Sequence, residues 1–161
     1  MIFTIGYEKA TLEDFIETLK MGGIKGLMDV RELPASRRKG FSKNALREAL
    51  ANAGIQYSHV KQLGDPKAGR IAARSGDMKL FRQIFEAHMS LPESVSALDR
   101  AAKEVTASPT ALMCYERNPR DCHRSIVADR LSELCSLSVR HLGVIKDAGR
   151  QGRSADVRKA A

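Results

Sequence analysis

Short apolar runs rich in β-branched and aromatic residues alternate along the chain with longer segments whose apolar positions recur every three or four residues. The first run, "IFTIGY" over 2–7, predicts a strand. "TLEDFIETLKMGG" follows as a helix, with Thr11 as N-cap, Leu12, Phe15, Ile16 and Leu19 on one face, and glycines closing it. "KGLMDVREL" over 25–33 predicts a second strand, and after the loop "PASRRKGF" Ser42 caps a helix that runs to about Ala53 and ends at Gly54. "IQYSHV" over 55–60 is a third strand, and "QLGDPKAGRIAARSGD" reads as a long turn-rich loop. Two helical runs, "MKLFRQIFEAHM" and "ESVSALDRAAKEV", are separated at Pro92. "TALMCYE" over 110–116 is a fourth strand, "NPRDCHRSIVADRLSELC" a helix and "SVRHLGV" over 138–144 a fifth strand.

Strands separated by helices need crossover connections, so the expected class is α/β: a Rossmann-like three-layer α/β/α sandwich around a mostly parallel five-stranded sheet. In such folds a ligand sits beyond the carboxyl ends of the strands. A single domain is expected over 1–145. The remainder, "KDAGRQGRSADVRKAA" over 146–161, holds five basic residues and little apolar material, and is expected to be a frayed, disordered tail.

Composition narrows the function classes. A chain of 161 residues suits one domain with a sizeable core. No run approaches the roughly 18 apolar residues of a membrane helix, so no membrane association is expected. The N-terminus lacks a basic region followed by a long apolar stretch, and three cysteines make no disulfide framework. Reduced thiols in a cytoplasm are the simpler expectation. A net charge of +8 makes nucleic acid a candidate partner, although 5% aromatics and no Trp supply few stacking platforms.

The polar residues expected at the carboxyl edge carry the candidate chemistry. Gly6 and Tyr7 end the first strand. Asp29 and Arg31, two apart on the second, share a face and form either a structural ion pair or a ligand contact. The loop that follows offers Ser36, Arg37, Arg38 and Lys39, with Gly40 permitting close backbone approach; arginine forks suit phosphate or carboxylate. At the end of the fourth strand stand Cys114, Tyr115 and Glu116. Asn118 as N-cap and Pro119 in the first helical position place Cys122, His123 and Arg124 in the first turn of a helix. Such a helix end attracts anions. His123 is in line with Val127, Leu131 and Leu134 and should face the sheet.

Four chemistries compete for these residues. Cys114 and Arg120 fit the bare C-x5-R pattern of a cysteine phosphatase, but Glu116 puts negative charge in the cradle, Pro119 removes an amide and no glycine is present. A metal site from Cys114, Glu116, Cys122 and His123 matches no common zinc spacing, and adjacent Cys122 and His123 would diverge on a helix; no metal ligand is therefore expected. Cys114 and Cys122 could form a redox pair, with the Cys122 thiol activated by the helix end. The fourth accounts for most of the convergence: Arg31, Arg37 and Arg124 hold an anion, with Ser36, Gly40, Gly6 and Tyr7 lining the site, while Asp29, Glu116, His123 or Cys122 does the chemistry.

"TIGY", "DVRELPASRRKGF", "GIQYSHVKQLG" and "ALMCYERNPRDCHRSIVADRL" resemble, in order, the domain-of-unknown-function family number 488, from about Ile2 to His141. By motif match the resemblance marks Gly6, Tyr7, Asp29, Arg31, Pro34, Ser36, Gly40, Phe41, Glu116, Cys122, His123 and Arg124 as signature positions. Tyr115 departs from it, since members often carry a smaller residue there. The resemblance implies no cofactor and names no reaction. An enzyme for a small phosphorylated or nucleotide-like compound is the leading expectation. A basic nucleic-acid-binding module is its alternative, and a partner-binding protein with a buried polar network the third class.

Overall fold

A computed structural model describes residues 1–160; Ala161, the end of the expected tail, lies outside the described residues. Five strands make one sheet: β1 (Ile2–Gly6), β2 (Gly26–Asp29), β3 (Gln56–His59), β4 (Thr110–Cys114) and β5 (Val139–Leu142). Their order is β3-β2-β4-β1-β5 and every pairing is parallel. The three inner strands are buried throughout, which explains their unbroken apolar runs, whereas β3 and β5 at the edges are half-exposed.

Seven helices cover the sheet: α1 (Leu12–Met21), α2 (Lys43–Asn52), α3 (Lys67–Arg74), α4 (Met78–Met89), α5 (Pro92–Ala107), α6 (His123–Cys135) and α7 (Ala148–Ala160). One face packs Ile5, Leu27 and Met113 against Phe15, Leu19, Leu46 and Leu50 of α1 and α2. The other packs Met28, Leu112 and Cys114 against Phe81, Phe85, Leu98, Val127 and Leu131 of α4, α5 and α6. The three-layer sandwich expected from the alternation is therefore present. β1 feeds α1 on one face and crosses toward β2, while β4 feeds α6 on the other and crosses toward β5. The connections diverge between β1 and β4, which places the topological switch at Gly6 and Cys114.

Three local expectations change. The "QLGDPKAGRIAARSGD" stretch is not a loop: it holds a 3-10 turn, Lys61–Leu63, and α3. Its three glycines and its proline masked the helical signal. The helix expected from Asn118 is broken in two. Asn118 caps a short 3-10 turn, Pro119–Asp121, and α6 starts only at His123 with Cys122 as an extended N-cap (φ −134°, ψ 142°). Third, the stretch expected as a frayed tail forms α7. The Asp14 carboxylate accepts the amides of Asp147 at 3.0 Å and Gly149 at 2.9 Å, supplying an N-terminal cap from a distant helix. These amides lower the Asp14 pKa, that of Gly149 most. Gly149 permits the approach, since a Cβ there would lie 2.6 Å from that of Glu13.

Candidate functional site

Two polar centres form at the carboxyl edge. The first surrounds Asp29, which is fully buried at the end of β2. Its Oδ1 accepts from the Arg31 amide at 3.1 Å and Nε at 2.8 Å, and its Oδ2 accepts from Arg31 Nη2 at 2.7 Å and the Tyr57 hydroxyl at 2.6 Å. Arg31 Nη1 donates to the Tyr7 hydroxyl at 3.1 Å and the Phe41 carbonyl at 2.8 Å. Tyr7 stacks on Phe41 with ring centroids 4.5 Å apart. Burial pulls the Arg31 pKa down, but its bonds to Asp29 outweigh this and hold it above the ordinary value; burial and the Asp29 charge push the Tyr57 hydroxyl up. The second strand, expected to run to residue 33, ends at Asp29; Arg31 lies two residues beyond it and turns back onto Asp29 in a bidentate ion pair.

The loop after β2 serves this first centre. The Ser36 hydroxyl accepts the Arg38 amide at 3.1 Å, and the Ser36 amide donates to the Ser42 hydroxyl at 3.1 Å, so Ser42 is the N-cap residue of α2 as expected but gives its hydroxyl to the loop. Gly40 has φ +90°, and a Cβ there would lie 2.6 Å from Leu12 Cδ2. Arg37 and Lys39 remain exposed.

The second centre joins β4 to α6. Cys114 and Cys122, expected as reduced thiols, are instead linked by a disulfide, because the β4 end and the α6 N-cap bring their sulfurs together; Cys135 is free. The Arg124 amide donates to Cys122 Sγ at 3.4 Å, and Glu116 Oε2 stands 3.4 Å from Cys114 Sγ. His123 Nε2 lies 2.6 Å from the Val30 carbonyl; a carbonyl only accepts, so Nε2 carries the proton and Nδ1 presents its lone pair 3.7 Å from Cys122 Sγ. Burial lowers the His123 pKa to about 4 despite that bond, so the ring is neutral at neutral pH. Burial also raises the Glu116 carboxyl above its usual range.

Arg124 lies beneath this centre with no exposed surface. Its Nε donates to Thr4 Oγ1 at 3.1 Å, its Nη1 to the Glu116 carbonyl and to Cys114 Sγ at 3.3 Å, and its Nη2 to the Arg117 carbonyl at 3.2 Å. Burial lowers its pKa to about 10, which leaves it charged at neutral pH. The 114–122 loop therefore turns carbonyls inward onto a guanidinium. A phosphatase cradle turns amides inward, so the C-x5-R pattern is not realised as one, and Arg120 is exposed on the loop. Gly6 seals the switch between β1 and β4, where a Cβ would lie 1.8 Å from the Glu116 carbonyl oxygen. Arg31 and Arg124, expected as a pair gripping an anion, are each occupied by protein groups in separate centres.

Sequence reasoning passed over a third participant, Asp65, in the stretch it read as plain loop. Asp65 is 6% exposed, and its Oδ1 has no hydrogen-bond partner among the described residues. Burial raises its pKa to about 7; the Glu116 and Glu32 charges add to this and Arg70 opposes it. Arg70 Nη1 donates to the Asp65 carbonyl at 2.7 Å and stands 3.4 Å from Glu32. The sequence signal was there in "GDPKAG", which leaves the carboxyl end of β3. Gly64 lets the loop press on β2, since a Cβ would lie 2.3 Å from the Glu32 amide nitrogen, and Gly69 makes room for Asp65, whose Oδ1 would be 2.0 Å from a Cβ there.

Neither among curated proteins nor among solved structures does anything match the chain. The family model of the domain of unknown function DUF488 matches residues 11–131, a span containing both polar centres apart from Thr4, Gly6 and Tyr7, and the chain belongs to that family.

Proposed function

We propose that the protein is a cytoplasmic enzyme that binds a small anionic substrate, phosphorylated or nucleotide-like, at the carboxyl edge of the sheet and uses Asp65 beside Glu116 to move a proton. The observation that carries this reading is the buried Asp65 carboxyl with an unpartnered Oδ1, held near neutrality where an acid or base works best. A structural carboxylate is normally satisfied, as Asp29 is, so an unsatisfied one at a ligand-binding edge supports a chemical role. Arg70 is half-buried beside it, and only its Nη1 is engaged among the described residues. Its remaining donors suit a phosphate or carboxylate. Arg37, Lys39 and Arg120 are exposed on loops at the same edge and would draw anions toward it.

The test is a thermal-shift screen with inorganic phosphate, nucleotides, sugar phosphates and short oligonucleotides at two salt concentrations. Stabilising compounds are then incubated with the protein and followed by phosphorus NMR. A small phosphorylated compound should raise the midpoint, the gain should disappear in Arg70→Ala, and Asp65→Asn should bind it while losing about a hundredfold or more in turnover. Stabilisation by oligonucleotides alone, fading with salt and unchanged in Asp65→Asn, would replace this reading by a nucleic-acid-binding module.

A further inference from the structure

The geometry points to a thiophilic divalent metal site, of the kind that takes zinc, formed by Cys114 Sγ, Cys122 Sγ, His123 Nδ1 and a Glu116 carboxylate oxygen when the two cysteines are thiols. The two sulfurs and Nδ1 all lie within 4.8 Å of one another. Zinc binds sulfur at about 2.3 Å and nitrogen or oxygen at about 2.0–2.2 Å, which sets the edges of its tetrahedron at roughly 3.3–3.8 Å. Cys122 Sγ to His123 Nδ1 is 3.7 Å and Cys114 Sγ to Glu116 Oε2 is 3.4 Å, so two edges on opposite sides of the cluster already fit.

Three further features suit a metal centre. The Val30 carbonyl holds the Nε2 proton of His123 at 2.6 Å, the outer-shell bond that fixes a ligating histidine's tautomer and ring. Cys122 is an extended N-cap rather than a helical residue, so its side chain converges with that of His123 where two successive helical residues would diverge. Finally, two thiolates and a carboxylate carry three negative charges, which a divalent ion and the adjacent Arg124 guanidinium neutralise together. That balance matters because Cys114, Cys122 and Arg124 are all at most 2% exposed. The half-buried Glu116 provides the side from which an ion enters. Soft sulfur donors favour zinc-class ions over magnesium or calcium.

Disulfide and metal are alternative states of the same sulfurs. A dithiol reductant transfers two electrons and two protons to the Cys114–Cys122 bond, breaking it into two thiols while the reductant closes to its own disulfide. Metal binding then releases the two thiol protons to solvent and forms two metal–sulfur bonds. A reducing cytoplasm holds the pair in the binding form.

The test titrates Co2+ into the full chain, reduced and freed of reductant without oxygen. One equivalent should produce thiolate-to-metal absorption in the near ultraviolet and the intense visible bands of four-coordinate Co2+, and Zn2+ should displace it. Cys122→Ser should weaken the thiolate band and lower affinity at least tenfold, Glu116→Gln should lower affinity without removing the thiolate band, and the oxidised protein should bind nothing. Asp65→Asn should bind as the wild type does, so failure here is separate from failure of the acid–base reading. No saturable thiolate absorption in the reduced wild-type chain would overturn the site. So would unchanged absorption in both Cys114→Ser and Cys122→Ser.

Discussion

The two polar centres at the carboxyl edge are built from similar residues and have opposite character. Around Asp29 both carboxylate oxygens are engaged: Arg31 forks onto them and Tyr57 donates to one, while the Tyr7 hydroxyl and the Phe41 carbonyl accept from Arg31. Between β4 and α6, by contrast, the framework is satisfied through Arg124, yet His123 Nδ1 presents its lone pair, and in the loop between β3 and α3 Asp65 Oδ1 has no partner among the described residues. Saturation marks the groups that hold the chain together, and the lack of it marks the groups left available for chemistry.

Breaking the saturated centre should have the largest effect. Arg31→Met leaves the Asp29 charge buried and unpaired, and should cost about 3–5 kcal/mol in urea denaturation. Arg124→Ala should follow at roughly 3 kcal/mol, because the carbonyls of Glu116 and Arg117 and the Thr4 hydroxyl lose a buried donor. If either variant keeps wild-type stability and loses ligand binding instead, the division between framework and chemistry fails.

Asp65→Asn sharpens the comparison from the other side. The folded chain holds the Asp65 proton up to about pH 7, whereas the unfolded chain releases it near 3.8. Between those values the native state binds a proton the unfolded state does not, so this residue's contribution is greatest in acid and declines as pH rises through the window. The variant should therefore match wild type near pH 4 and exceed it by up to about 4 kcal/mol at pH 8. Destabilisation at every pH would move Asp65 into the framework. The smallest effect is expected for Tyr7→Phe: about 1 kcal/mol, from one lost acceptor for Arg31 while the stack on Phe41 remains.

Much of this architecture was legible in the sequence. α1 starts after Thr11, whose hydroxyl accepts the Asp14 amide, and α4 spans Met78–Met89 as its apolar spacing predicts. The proximity of Asp29 and Arg31 was legible from their spacing, although β2 ends at Asp29 and Arg31 reaches back from the loop. α3 and α7 were less legible. Gly69 of α3 is required by its contact with Asp65 and Gly64 before it by contact with Glu32, and α7 depends on a cap from Asp14, 135 residues from the Gly149 amide it accepts. Local propensity carries no record of such partners.

By itself the sequence determined the alternation of elements, the parallel sheet and the edge at which polar residues gather, because periodicity and capping act within a few residues. Only the tertiary structure decided what those residues do there. Arg124 meets Thr4 across 120 positions and His123 meets Val30 across 93, and these contacts determine which donors are occupied. A buried polar group takes its character from its partners, and the fold brings those partners from distant parts of the chain.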